Sequence, residues 1–143
     1  MKILLAGVLT ITLSTAWITN FDTAKEKAAK ENKYILLNFS GSDWCAPCIK
    51  MKQEVFESEA FSSLADKELI LVRADFPRSK KNQLSKEQTK HNEALAEKYN
   101  PSGKFPLTLL LDAHGKILRT WDGYVFASQE EFMADLDKAL SKK

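Results

Sequence analysis

The chain has 143 residues, 44% hydrophobic and 28% charged, with 5 glycines and 4 prolines. That is the length of one domain and the composition of an ordinary globular protein, which excludes disorder, collagen-like repeats and multi-span membrane architecture. A net charge of +2 with both signs interleaved gives no electrostatic case for nucleic acid or an anionic membrane. Its two cysteines neither build a disulfide scaffold nor complete a four-thiolate zinc site.

Residues 1–16 read MKILLAGVLTITLSTA. One charge, Lys2, precedes an apolar run over 3–13, and Ser14-Thr15-Ala16 are small residues of the kind signal peptidase reads. The run falls well short of the ~20 residues of a spanning helix. Residues 1–16 are therefore expected to be a signal peptide and 17–143 the exported domain. A buried N-terminal element and a short uncleaved anchor taking in Trp17 and Ile18 are the competing readings.

Thr19-x-x-Asp22 has the form of a capping box, and Phe21, Ala24 and Ala28 follow at helical spacing, with Asn32 and Lys33 closing that helix. Residues 34–39 are an apolar run of buried-strand length. After a turn over 40–43, Trp44-Cys45-Ala46-Pro47-Cys48 opens a second helix that runs through Met51 to about Val55. A further helical turn or two spans 58–65. Residues 69–74 form a second strand, ending at Asp75-Phe76-Pro77.

From Arg78 to Lys90 the chain is nearly all polar. Lys80, Lys81, Lys86 and Lys90 read as a solvated face, with partner docking as the alternative. By Gln88 the chain is helical, and Asn100-Pro101-Ser102-Gly103 breaks the helix. A third strand over 107–111, a hairpin turn at Asp112-Ala113-His114-Gly115 and a return strand over 116–121 follow. A last amphipathic helix covers 128–140. Trp121, Tyr124 and Phe126 are expected in the core. The order α-β-α-β-α-β-β-α predicts one α/β domain: a central mixed sheet, parallel in its first half, with a terminal antiparallel hairpin and helices on both faces.

The chemistry gathers at Cys45 and Cys48, spaced Cys-x-x-Cys between a buried strand and a helix. Unpaired N–H groups and the helix dipole at such a start stabilise an anion and lower the first thiol's pKa. Cys45 is expected to be the exposed nucleophile and Cys48, one turn inside, the resolving thiol. Pro47 suits the first helical turn and, with Ala46, stiffens the link between the sulfurs. A structural staple is poorly motivated, since so short a loop constrains the unfolded chain by only about 2 kcal/mol. A zinc site would need His91 and His114, which lack ligand spacing. No metal and no cofactor beyond the redox disulfide is expected.

Trp44-Cys45-Ala46-Pro47-Cys48 resembles the active site of the thioredoxin superfamily. Lys104-Phe105-Pro106 before the third strand resembles its cis-proline loop. The resemblance spans Trp17 to the C-terminus and is most marked to secreted oxidoreductases of the DsbH type. These carry Asn-Phe-Ser-Gly-Ser-Asp-Trp-Cys before the site, and Asp-Phe-Pro plus a lysine-rich insertion after the next strand. It implies a thioredoxin-like fold, a cis Pro106 beside the cysteines, and Trp44, Phe105 and Pro106 as the substrate-binding surface. The Phe105 backbone would pair with a substrate strand.

Two positions depart from the pattern. Asn38 stands where thioredoxins carry a buried Asp, leaving water, Asp43 or Lys50 to move the proton of Cys48. Ala46-Pro47 replaces the two bulky residues of the DsbH type. The expected function is an exported, monomeric thiol–disulfide oxidoreductase of the periplasm or exterior. It would reduce or isomerise disulfides of envelope proteins and be recharged by an upstream dithiol donor. A non-catalytic chaperone or adaptor module is the alternative.

Overall fold

The apolar run Tyr34–Ser40 forms strand β1, buried at every position but Tyr34. It is the strand on which the rest is assembled in the computed structural model, which describes residues 16–142. The expected signal peptide lies outside the described residues, apart from Ala16. The elements are α1 (Phe21–Glu31), β1, α2 (Ala46–Met51), a π-helical turn (Lys52–Phe56), α3 (Glu59–Glu68), β2 (Leu69–Asp75), a 3₁₀ turn (Lys80–Asn82), α4 (Lys86–Tyr99), β3 (Leu107–Leu111), β4 (Ile117–Asp122) and α5 (Gln129–Leu140).

The sheet order is β2-β1-β3-β4. β1 pairs parallel with β2 and antiparallel with β3, and β3 pairs antiparallel with β4. The mixed sheet with a parallel first pair and a terminal hairpin matches the expectation. Successive residues of a strand face opposite sides. Ile35, Leu37 and Phe39 therefore join Phe21, Ala24 and Ala28 of α1 and Leu95 and Tyr99 of α4 in one core. Leu36 joins Met51, Phe61, Phe132, Leu136 and Leu140 in the other. This is a thioredoxin-like fold, with helices on both faces of the sheet.

Three local expectations are corrected. Asn20, not Thr19, caps α1, its Oδ1 accepting the Thr23 N–H at 2.9 Å. The chain is still extended just before it: Ile18 bridges Val72 of β2, with Ile18 N–H on Leu71 O at 2.7 Å and Arg73 N–H on Ile18 O at 3.0 Å. The helix beyond Cys48 stays α only to Met51, then widens into the π turn, where the Glu57 N–H reaches back to Lys52 O. The next helix is a full ten residues, capped by Ser58.

Trp121 is buried against Phe132 of α5, as expected of a core aromatic, while Phe126 packs on the same ring half-buried. Trp121 Nε1 donates to Asp135 Oδ2 at 2.6 Å, and Arg119 forks onto the same carboxylate. Burial pushes the Asp135 carboxyl up, but the hydrogen bonds from Arg119 and Trp121 outweigh it and hold it below the usual carboxylate range. Tyr124 lies half-buried at the rim, its hydroxyl donating to Glu54 Oε2 at 2.7 Å.

Candidate active site

Register brings three segments to one end of the sheet. Ser40, the last residue of β1, pairs with Asp75, the last of β2. Phe39 pairs with Leu107, the first of β3. The turn over 41–45, the segment after Asp75 and the loop before Leu107 therefore emerge side by side.

Cys45 is the N-cap of α2, with an extended backbone; its N–H donates to Gly41 O at 2.9 Å. Ala46 and Pro47 begin the helix, where a proline's missing N–H costs little. The Cys48 N–H donates to Cys45 Sγ at 3.3 Å. The two cysteines are joined in a disulfide with their Cα atoms 5.2 Å apart. Each is only 4% exposed, while Ala46 and Pro47 are exposed. The expected exposure of Cys45 is therefore corrected for this oxidised form. The Gly41 contact draws residue 45 into a tight turn, and its sulfur folds back over the Cys48 amide.

Trp44, next in sequence to Cys45, packs against Gly41. Its ring lies so close to Gly41 that a Cβ there would stand 2.3 Å from Trp44 Cε2, so only glycine fits. Trp44 Nε1 donates to Phe76 O at 2.7 Å. Phe105 meets both Trp44 and Phe76 edge-on, at 5.4 and 5.5 Å between centroids. Trp44 and Phe105 thereby tie the cysteine turn to the proline loop. The Phe105–Pro106 bond is cis, as the resemblance implies. Buried Asn100 braces that loop from both sides, accepting from Lys104 N–H and donating to Lys104 O.

Asn38 is 2% exposed on β1. Its Nδ2 donates to Thr108 Oγ1 at 3.1 Å, and that hydroxyl lies 3.9 Å from Met51 Sδ. Asp43 turns to the segment after β2, where its oxygens accept from Arg78 N–H, Ser79 N–H and Asn82 Nδ2. The backbone N–H of Arg78, then Asn82 and Ser79, hold its carboxyl below the usual range. Lys50 reaches Glu54 at 4.0 Å and lies 6.0 Å from the Tyr124 ring. His91 is not a free surface group: its Nε2 accepts the Phe21 N–H at the start of α1, at 3.1 Å. His114 is exposed in the hairpin turn. Among the described residues, no group of three or more His, Cys, Asp or Glu side chains is arranged to hold a metal ion.

The residues missed by sequence reasoning are Gly41, Phe76 and Arg78. Phe76 completes the aromatic cluster, and the Arg78 guanidinium stacks 3.8 Å from the Trp44 ring centroid. Parallel pairing of two strands that both end in polar turns is the signal that would have brought residues 41–45 and 76–78 together.

A family model described as thioredoxin-like matches residues 16–113. The disulfide bond reductase DsbH of Chlamydia pneumoniae is 38% identical over 99 residues, 69% of this chain and 58% of that relative. The chain thus spans little more than half the length of this curated relative. The solved structure of a DsbH oxidoreductase superposes with a TM-score of 0.82 at 29% identity, covering 100% of this chain and 96% of that one. A thioredoxin from Thermus thermophilus shares the fold, with a TM-score of 0.65 at 17% identity over 88% of this chain and 87% of that one.

Proposed function

The chain belongs to the thioredoxin-like family, and we propose that it is an exported thiol–disulfide oxidoreductase that works as a reductase of disulfides in cell-envelope proteins. The observation that carries this reading is the Cys45–Cys48 disulfide at the start of α2, at the sheet end where the cis Phe105–Pro106 loop also lies. The likeness to a disulfide bond reductase and the signal-like residues 1–16 support it.

In the reduced protein the Cys45 thiolate attacks one sulfur of a substrate disulfide, which releases the other substrate sulfur as a thiolate. The Cys48 thiolate then attacks Cys45 Sγ, closing the bond seen here and freeing the second substrate thiol. The substrate gains two electrons and two protons. The protein ends oxidised, so an upstream dithiol donor must return the same electrons and protons. Trp44, Phe105 and Pro106 form the surface on which the substrate chain lies. Ala46 and Pro47 hold the sulfurs within bonding reach. Asn38 cannot titrate, and Asp43 faces the segment after β2, so water is the proton carrier for Cys48 in this scheme.

The helix that carries Cys45 offers its thiolate little beyond the helix N-terminus, and the exposed guanidinium of Arg78 is held over the Trp44 ring, which together support a reducing direction. A dithiol is a strong oxidant when its reduced form is specially stabilised. Here the Cys48 amide is the donor to Cys45 Sγ, the intervening residues are Ala46 and Pro47, and Lys50 is turned to Glu54. The test is insulin reduction with dithiothreitol as donor. The protein is expected to accelerate it and Cys45→Ser to abolish the acceleration. Equal rates for the two would favour the chaperone or adaptor reading.

A further inference from the structure

The oxidoreductase reading leaves one feature unused: the charge of the segment that follows β2. Residues 77–91 carry Arg78, Lys80, Lys81, Lys86 and Lys90 against the single acid Glu87, a net +4 in a chain whose total is +2. This charge is set beside the cysteine turn. The Ser40–Asp75 register delivers the segment to the cysteine turn, and three hydrogen bonds from Arg78, Ser79 and Asn82 to Asp43 fix it there.

The nearby carboxylates offset part of it, but both are turned to other donors. Asp43 is engaged with those backbone and amide donors, and Asp75 accepts from Ser42 N–H, Ser42 Oγ and Phe76 N–H. Among the described residues, Arg78, Lys80 and Lys81 form no ion pair. Arg78 is exposed, and its guanidinium carbon sits over Trp44, 3.8 Å from the ring centroid. Stacking restrains a guanidinium while leaving its N–H edge free to fork onto a carboxylate. The stack rests on the residue adjacent to Cys45, so a carboxylate bound there belongs to the chain whose cysteine Cys45 meets.

We propose that residues 76–82 are a substrate-recognition arm that selects polypeptides bearing an acidic residue beside the disulfide to be reduced, with Arg78 as its main contact and Lys80 and Lys81 extending its field. The proposal rests on the oxidoreductase reading and names the substrate class of that site. Aromatic contact with Trp44, Phe76 and Phe105 supplies affinity without sequence preference. The cations supply the preference, through attraction that salt screens.

The test is single-turnover reduction of two matched peptide disulfides by the pre-reduced protein. The peptides differ only in carrying Glu or Lys next to the cysteine. Each rate is divided by the same peptide's rate with dithiothreitol, which cancels the effect of the flanking charge on the leaving thiol. At low salt the normalised rate is expected to be about tenfold higher for the Glu peptide, falling toward about twofold in half-molar salt. Arg78→Ala should cut the low-salt ratio to about twofold, and Arg78→Glu should invert it. Equal normalised rates for the two peptides overturn the recognition arm and leave the reductase reading standing. A ratio unmoved by Arg78→Glu overturns the role of Arg78. Failure to reduce either peptide overturns both readings together.

Discussion

Asp43 Oδ1 accepts the backbone N–H of Arg78 at 2.9 Å, joining two residues 35 apart in sequence. This bond, with those from Ser79 and Asn82, turns a polar excursion into a fixed wall of the candidate site. It also makes the wall sensitive to acid. A carboxyl held below its ordinary value of 3.8 contributes its full anchoring above that value and loses it as pH falls through the lower folded value. The Arg78 and Ser79 amide resonances are therefore expected to move, between pH 5 and pH 2, with a midpoint below 3.8. A midpoint at or above it would contradict the anchor.

Gly41 is required by space, not by backbone conformation. A Cβ at 2.3 Å from Trp44 Cε2 and 2.7 Å from Nε1 forces the indole off its bond to Phe76 O. Gly41→Ala is expected to destabilise the protein by about 1–3 kcal/mol, the usual cost of overpacking, as read from urea unfolding. A loss under about 0.5 kcal/mol would mean that the ring moves freely.

Much of this architecture was legible from pattern alone. Runs such as Leu107–Leu111 have too few polar groups for anything but a covered strand, and all five residues are buried. The cysteines of the candidate site stand out by their spacing. What escaped was decided by partners distant in sequence. Thr19 lost the cap to Asn20 because Ile18 is drawn out along β2. His91 found its acceptor role 70 residues away, on Phe21. The π turn over Lys52–Phe56 has no local signature, and Val55 and Phe56 are both buried there. Arg78 read as one polar residue among many until the register set it on Trp44.

Tyr124 offers a spectroscopic check of the far rim. Burial and the hydrogen bond to Glu54 push its phenol from 10.0 up to about 12. Stability linked to this group is full below pH 10 and lost as pH rises through about 12. The difference between absorbance titrations of the wild type and Tyr124→Phe should have its midpoint near 12. A midpoint at 10 would contradict the Tyr124–Glu54 bond.

The roles assigned to the two sulfurs separate cleanly in variants. Cys48→Ala leaves Cys45 able to attack and nothing to resolve the product, so mixed disulfides with substrate proteins are expected to accumulate on non-reducing gels. Cys45→Ala should trap none. Trapping by Cys45→Ala instead would exchange the two roles.

The equilibrium potential of the Cys45/Cys48 pair against a glutathione redox buffer tests the reductase assignment most directly. With the small Ala46-Pro47 bridge, Lys50 turned to Glu54 and the Arg78 guanidinium held on Trp44, the thiolate is only moderately stabilised and the disulfide is comparatively stable. The predicted value is roughly −270 mV, the range of thioredoxin. A value above about −180 mV, the range of protein disulfide isomerase, would contradict the reductase reading in favour of an oxidase or isomerase.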